Sequence, residues 1–341
     1  MNMPSGSASS FRKAIGEVYD NCVELGLNTV YVHVRSHGDA YYNSKLFPYT
    51  KYLSGGFDAL EIMVEEAHKR DLSFQAWINP LRGCSESDIS RQKGYKIGEW
   101  ISDGKRVVKV SGTYYLNPAY DEVVKLIADG AREIVANYDV DGLHIDDYFY
   151  PTTDASFDSA AFKASGYTKL SDFRFANCDK MMKSLYNAVK ESNSDAIFGV
   201  SCQGNLQNNY TYMYADVKKW CSESGYTDYI MPQIYFGFNN AAQPFSKCVN
   251  EWNNLAKSGK IPLIVGVAVS KIGLSDSWAG EGKNEWITDK EILRRQFLES
   301  AEQSEYGGIV LFSYRSIFDP AELVKSQVDE EIASLKAVLN Q

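Results

Sequence analysis

The chain has 341 residues, of which 44% are hydrophobic and 23% charged, the balance of a soluble globular fold long enough for one α/β barrel. Its formal charge of −9 makes a polyanion such as nucleic acid a poor partner. No run approaches the roughly 18 consecutive apolar residues of a membrane span, and Met1–Ser10 shows no basic-then-apolar secretion pattern.

Helical periodicity runs from Ser9 to about Leu25, with Phe11, Ile15, Val18, Cys22 and Leu25 on one stripe, and Gly26 ends it. Asn28–Arg35 alternates as a strand and carries Ser36, His37, Gly38 and Asp39 past its end. A helix from about Phe57 to Arg70 leads to the strand Leu72–Ile78, which ends in Asn79-Pro80-Leu81-Arg82. An excursion over 83–118 follows, where Val107–Val110 and Thr113–Leu116 flank Ser111-Gly112 as a two-residue hairpin. The helix Ala119–Tyr138 precedes a strand that opens at Val140 and runs into Asp146-Asp147-Tyr148-Phe149-Tyr150-Pro151. Helices near Lys169–Ser192, Tyr212–Ser222, Pro244–Lys257, Asp289–Ser304 and Pro320–Leu339 complete the helical set. Between them lie the strands Ala196–Cys202, Asp228–Tyr235, Ile261–Ala268 and Gly308–Tyr314, with a second excursion over 269–287.

Short strands alternating with helices of about 12–25 residues are the pattern of repeated βα units. Amides, acids and tyrosines follow the strands, so chemistry collects at C-terminal strand ends, as in a (β/α)8 TIM-type barrel. No Gly-x-Gly-x-x-Gly follows a strand, which disfavours nucleotide binding. The expectation is a single domain over 1–341 whose seven strands leave an eight-stranded barrel without its first strand. Either that strand lies upstream of Met1, or the barrel closes imperfectly. Cys22, Cys84, Cys178, Cys202, Cys221 and Cys248 form no Cys-x-x-Cys and read as reduced, structural thiols. Four histidines and no Cys cluster imply no metal or other cofactor, and a metal-dependent hydrolase or deacetylase built on His144, Asp146 and Asp147 ranks last.

The stretch Val140–Pro151 concentrates the chemistry. A repeat of two puts Gly142, His144 and Asp146 on one face of its strand and Leu143, Ile145 and Asp147 on the other. An imidazole and a carboxylate delivered together at a buried strand end are costly unless used or well paired. Asp147 is expected to face the helix layer or to orient a loop.

At these strand ends the sequence resembles the glycosyl-hydrolase-like family 10 domain. The matching stretches are Asn28–Asp39, Ala76–Pro80, Asp141–Pro151, Gln203-Gly204-Asn205, Pro232–Phe238 and Leu311–Tyr314, so the likeness covers essentially the whole chain. It implies a barrel with a glycosidase-like cleft that acts on a polysaccharide, in a family associated with bacterial cell-envelope glycans. It also implies a place outside the cytoplasm. The family's first strand has no counterpart here.

Glycoside hydrolysis normally uses two carboxyl groups, about 5–5.5 Å apart for retention and about 6.5–9.5 Å for inversion. The order Asp-Gly-x-basic-x-Asp is similar to the nucleophile strand of several retaining clans, which makes Asp146 the first catalytic candidate; its alternative is a turn cap or a pair with Arg35. Asp39 is the preferred partner, with a turn role as its alternative, and Asp147 is a third catalytic candidate. Glu281 and Glu285 rank behind them on a Trp- and Gly-rich loop that could close as a lid. His33, Arg35, Arg82 and His144 follow the same strand-end logic for substrate binding, and a guanidinium beside the acid would keep it ionised. Asn79, Gln203, Gln233 and Tyr235 read as hydrogen-bonding groups for sugar hydroxyls. Tyr148, Tyr150, Trp77, Trp278 and Phe236 read as stacking walls, and Lys271 and Tyr314 complete the set of substrate contacts. The rival to an enzyme is a carbohydrate-binding barrel without catalysis.

Overall fold

A computed structural model describes residues 6–339. Its first helix, Ala8–Leu25, begins at Ser7, whose hydroxyl accepts the Ser10 N–H, and ends at Gly26 with φ 92°. Phe11, Ile15, Cys22 and Leu25 are buried along one stripe, as their spacing predicts, with Tyr19 beside them.

Ten strands are present among the described residues: β1 (Thr29–Arg35), β2 (Ser73–Ile78), β3 (Arg82–Ser85), β4 (Val107–Val110), β5 (Thr113–Leu116), β6 (Gly142–Ile145), β7 (Ile197–Val200), β8 (Tyr229–Ile230), β9 (Leu263–Ala268) and β10 (Tyr306–Phe312). Seven of them form one parallel sheet in the order β1-β2-β6-β7-β8-β9-β10. The sheet curls as a half-barrel with helices outside. β1 and β10 are its edges and pair only with β2 and β9. Near those edges Tyr314, just past β10, accepts a hydrogen bond from Asn21 of the first helix at 2.7 Å.

The excursion over 83–118 folds as a small antiparallel sheet in the order β3-β5-β4. Its hairpin turns at Ser111 (φ 48°) and Gly112 (φ 83°), a pair of left-handed residues whose twist suits a two-residue loop. The short strand β3, with Gly83 packed on the Tyr114 carbonyl, carries no alternating pattern of its own.

Several element bounds differ from the periodicity. The run Asp228–Tyr235 keeps regular pairing only over Tyr229–Ile230, because Pro232 offers no N–H; beyond it Gln233 bridges Gln203 and Gly266. The helix expected over Tyr212–Ser222 is two short ones, Leu206–Thr211 and Val217–Ser222, separated by Tyr214 with φ 53°. The last strand stops at Phe312, and Tyr314–Phe318 is helical.

The two faces of β6 behave as a period of two requires. Leu143 and Ile145 are fully buried in the hydrophobic core, beside Phe198 and Val200 of β7. On the concave side the His144 ring is stacked with Tyr229 at 5.9 Å and meets Tyr31 edge-on at 4.9 Å. Room for Tyr229 exists only because residue 199 is glycine: a Cβ there would lie 1.8 Å from the tyrosine ring. This aromatic layer floors the cleft above it.

Candidate active site

β6 ends at Ile145, and the next two residues are carboxylic acids. Asp146 is 3% exposed and accepts the backbone N–H of Tyr148 at 3.3 Å. Burial, and then the neighbouring charge of Asp147, hold its carboxyl well above the ordinary aspartate range. The Trp77 indole acts on the same carboxylate from β2, although its N–H closes no hydrogen bond.

Asp147 does not turn to the helix layer. The regular strand has already ended, so its parity no longer applies, and its Oδ1 accepts the Gln233 amide N–H at 3.2 Å. Burial raises its pKa as well, opposed by the amides of Gln233 and Gln203. Those glutamines stand side by side at the ends of β7 and β8. The Gln203 backbone is fixed in turn by Asn209, which accepts its N–H at 3.0 Å and donates to its carbonyl at 2.9 Å. Tyr235 closes the group: its hydroxyl is pushed up by burial and by both acids, and its ring stacks on Phe312 at 5.7 Å.

On the β1–β2 side His33 stacks on Trp77 with centroids 3.4 Å apart. Asn79 is buried and donates to the Ser36 carbonyl at 3.4 Å, leaving its Oδ1 unbonded. Arg82, from β3, lies over the Tyr148 ring at 5.1 Å, and Tyr148 is 43% exposed. No salt bridge joins Asp146 or Asp147 to a cation among the described residues, so the expected guanidinium beside the acid is not there.

The structure does not bring the other expected residues to this group. A register shift between His33 and Arg35 breaks the alternation of β1. Arg35 is consequently buried outside the sheet, 4.4 Å from the Phe47 ring and against Gly130 of the helix Asp121–Asn137. His144 belongs to the aromatic floor, where its Nδ1 bonds the Tyr229 hydroxyl at 2.9 Å. Asp39 accepts the His37 N–H at 3.3 Å in a turn with Gly38 left-handed. Lys271 is paired within its own loop with Asp276 at 2.6 Å, while Trp278 projects into solvent, 89% exposed. Tyr314 points at the first helix, and Tyr150 is buried. Glu285 is no lid carboxylate: it is buried and accepts the N–H groups of Phe238 and Asn239 at 2.7 and 2.8 Å, fixing the chain after β8. Glu281 is exposed.

Sequence reasoning missed Tyr31, Tyr229 and Phe312, although each sits where strand alternation points inward or at a strand end. All six cysteines are buried and free, and no group of three or more His, Cys, Asp or Glu among the described residues could hold a metal ion. No helix among them is long and apolar enough to cross a membrane.

Burial holds His33 down to about 4 and His144 down to about 3. Each depressed imidazole therefore contributes stability above its unfolded pKa of about 6.5, and that contribution is lost as pH falls toward the folded value. The expected result is that the ring resonances of these two histidines do not titrate from about pH 7 to about pH 5 in NMR spectra. A titration midpoint for either inside that window would contradict the packing described.

A curled parallel sheet with a buried acid pair at its C-terminal rim, flanked by amides and aromatic rings, belongs to the glycosidase-like β/α-barrel class. The fold superposes on the glycoside hydrolase domain of PgaB (BpsB) from Bordetella bronchiseptica with a TM-score of 0.65, covering 99% of this chain and 96% of that one at 13% identity. It also superposes on the catalytic domain of a β-amylase from Paenibacillus polymyxa, with a TM-score of 0.61, 10% identity and coverage of 96% and 94%. The chain belongs to the glycosyl hydrolase-like 10 family, whose sequence pattern matches residues 11–281. It is 28% identical to glycosyl hydrolase YngK of Bacillus subtilis strain 168, over 95% of this chain and 67% of that protein. It is 29% identical to glycosyl hydrolase DigH of Escherichia coli K12, over 91% of this chain and 77% of that one.

Proposed function

We propose that this chain is a glycoside hydrolase that acts on a bacterial cell-envelope glycan, such as the glycan strands of peptidoglycan, outside the cytoplasm. Asp146 is its catalytic carboxylate. The observation that carries this reading is the burial of Asp146 beside Asp147 at the end of β6, which raises its pKa and so favours its protonated form over that of an ordinary aspartate. A proton held there serves the oxygen that leaves a glycosidic bond. Gln203, Gln233, Tyr235 and Asn79 are then the groups that hydrogen-bond sugar hydroxyls, and Trp77, Tyr148 and the Tyr235–Phe312 stack offer ring faces to the apolar side of a pyranose.

One observation favours a second reading, a carbohydrate-binding barrel without catalysis. Asp39, the partner acid expected from β1, accepts the His37 N–H in its own turn. Incubating the chain with purified peptidoglycan glycan strands and with other polysaccharides separates the two. New reducing ends are expected; glycan retention without any new reducing end would leave only the binding reading.

A further inference from the structure

Two facts about the rim need a joint explanation. Both acids come from consecutive residues on one strand end, so both reach a bound sugar from the same wall. Beyond β1, Asp39 accepts the His37 N–H in its own turn, and the residues just past β2, β7, β8, β9 and β10 include no carboxylate. Asn79 follows β2, Gln203 follows β7, Gln233 and Tyr235 follow β8, and Phe312 ends β10. A displacement at the anomeric carbon requires a nucleophile on the face opposite the leaving oxygen, and a retaining enzyme normally supplies it from a second carboxylate across the cleft. Here the strand ends on either side of β6 present amides and rings.

We infer that the nucleophile is the substrate's own 2-acetamido group, with Asp147 holding its N–H, Tyr235 contacting its carbonyl oxygen and Asp146 protonating the leaving oxygen. This rests on the hydrolase reading given above and names the sugar class that the site requires: a β-linked 2-acetamido-2-deoxyhexoside. Adjacent acids suit the task. One must act as a proton donor while the other stays anionic against an amide N–H, and like charges this close separate their protonation states. Gln203 and Gln233 steady Asp147 in its ionised form, whereas Asp146 has only the Tyr148 N–H and the Trp77 indole edge. The Tyr235–Phe312 stack supplies an apolar wall for the acetyl methyl.

The acetamido carbonyl oxygen forms a bond to C1 as the C1–O bond to the leaving sugar breaks. The Asp146 proton goes to that leaving oxygen, and the amide N–H proton is held or taken by Asp147, giving a cyclic oxazoline. Water then adds to C1, giving its proton to the Asp146 carboxylate, and Asp147 returns the proton to the amide nitrogen as the ring opens. Two displacements at C1 give net retention. The acetamido group can reach C1 only when it is trans to the leaving group, which is why the linkage must be β.

The test is a set of matched β-linked oligosaccharides whose reducing-end unit is an aryl leaving group and whose cleaved sugar carries a 2-acetamido, N-fluoroacetyl, N-trifluoroacetyl, amino or hydroxyl substituent. Fluorine withdraws electron density from the carbonyl oxygen, so turnover is expected to fall stepwise along the series. It should drop by at least ~10²-fold when the group is amino or hydroxyl, since an intramolecular nucleophile is removed. NMR of the first-formed product should show the β-anomer. A methylthiazoline analogue of the oxazoline should bind the native chain and bind Asp147→Asn much more weakly, with the variant's thermal melt confirming that it is folded. Equal cleavage across the substituents, or an α-anomeric product, overturns the inference and leaves the hydrolase reading intact. Cleavage of none of the set, together with no thiazoline binding, overturns both.

Discussion

Asp146→Asn is expected to lose hydrolysis by roughly 10²–10⁴-fold, the usual worth of a positioned proton donor, while glycan binding persists. The same change is expected to stabilise the fold at neutral pH, and the two effects share one cause. Burial and Asp147 hold the folded carboxyl well above its ordinary range, so the folded chain keeps this proton more tightly than the unfolded chain does. As pH rises from the unfolded value of about 3.9, the unfolded state releases the proton first and stability declines until the folded group ionises too. Asparagine carries no such ionisation. The stability difference between variant and native chain should therefore be small in acid, grow across that window and then level off. Urea midpoints at several pH values, set beside turnover, measure both. A variant that is less stable at neutral pH, or one that still hydrolyses glycan at the native rate, would make Asp146 a structural residue. Asp147→Asn is the informative contrast, because an asparagine keeps one oxygen for the Gln233 amide but replaces the other acceptor, toward Gln203, with an NH2 donor.

How far the residues disclosed this arrangement depends on which interactions are local. The alternation of β6 placed Leu143 and Ile145 outward and His144 and Asp146 inward, because a period of two holds as long as the strand is regular. It failed at Asp147, one residue past regular pairing, and at Arg35, one residue past a register shift in β1. Neither break carries a glycine or proline to announce it. The Ser111-Gly112 hairpin was legible because left-handed residues have a chemical signature. Glu285 was not: an acid on a Trp- and Gly-rich loop looks solvated until Phe238 and Asn239, nearly fifty residues earlier, turn their N–H groups onto it. The aromatic floor is likewise a product of packing, since Tyr31 and Tyr229 meet His144 only after the sheet has curled.

The largest expected stability effect lies behind the site. Between Asp147 and the helix Leu170–Ser192 the chain makes a long connection that includes a short helix over Ser159–Ala164, and Arg174 of the longer helix reaches back to hold its first part. Its Nε and Nη2 donate to the two oxygens of Asp158 at 2.9 and 2.7 Å, Nη1 to the Thr152 carbonyl and the Tyr214 hydroxyl, and Nη2 also to the Asp154 carbonyl. All five N–H donors are thus engaged, both side chains of the pair are fully buried, and the guanidinium lies 5.0 Å from the Tyr150 ring. Asp158→Ala removes the carboxylate paired with Arg174 and leaves a dry guanidinium, which should lower unfolding stability by about 3–5 kcal/mol. That is a large part of the 5–15 kcal/mol that keeps an ordinary domain folded. Turnover should fall as well, although Asp158 bonds neither acid of the site, because the loop that begins at Asp147 loses its anchor. Replacing both partners, with Arg174→Met and Asp158→Leu together, removes the uncompensated charge and should restore most of the stability. It should not restore turnover, since the Thr152 and Asp154 carbonyls then lack the donor that fixes them. Chemical denaturation and glycan hydrolysis on the two variants separate these consequences. If Asp158→Ala unfolds within about 1 kcal/mol of the native chain, a loss typical of a solvated surface pair, Arg174 is no anchor for this loop.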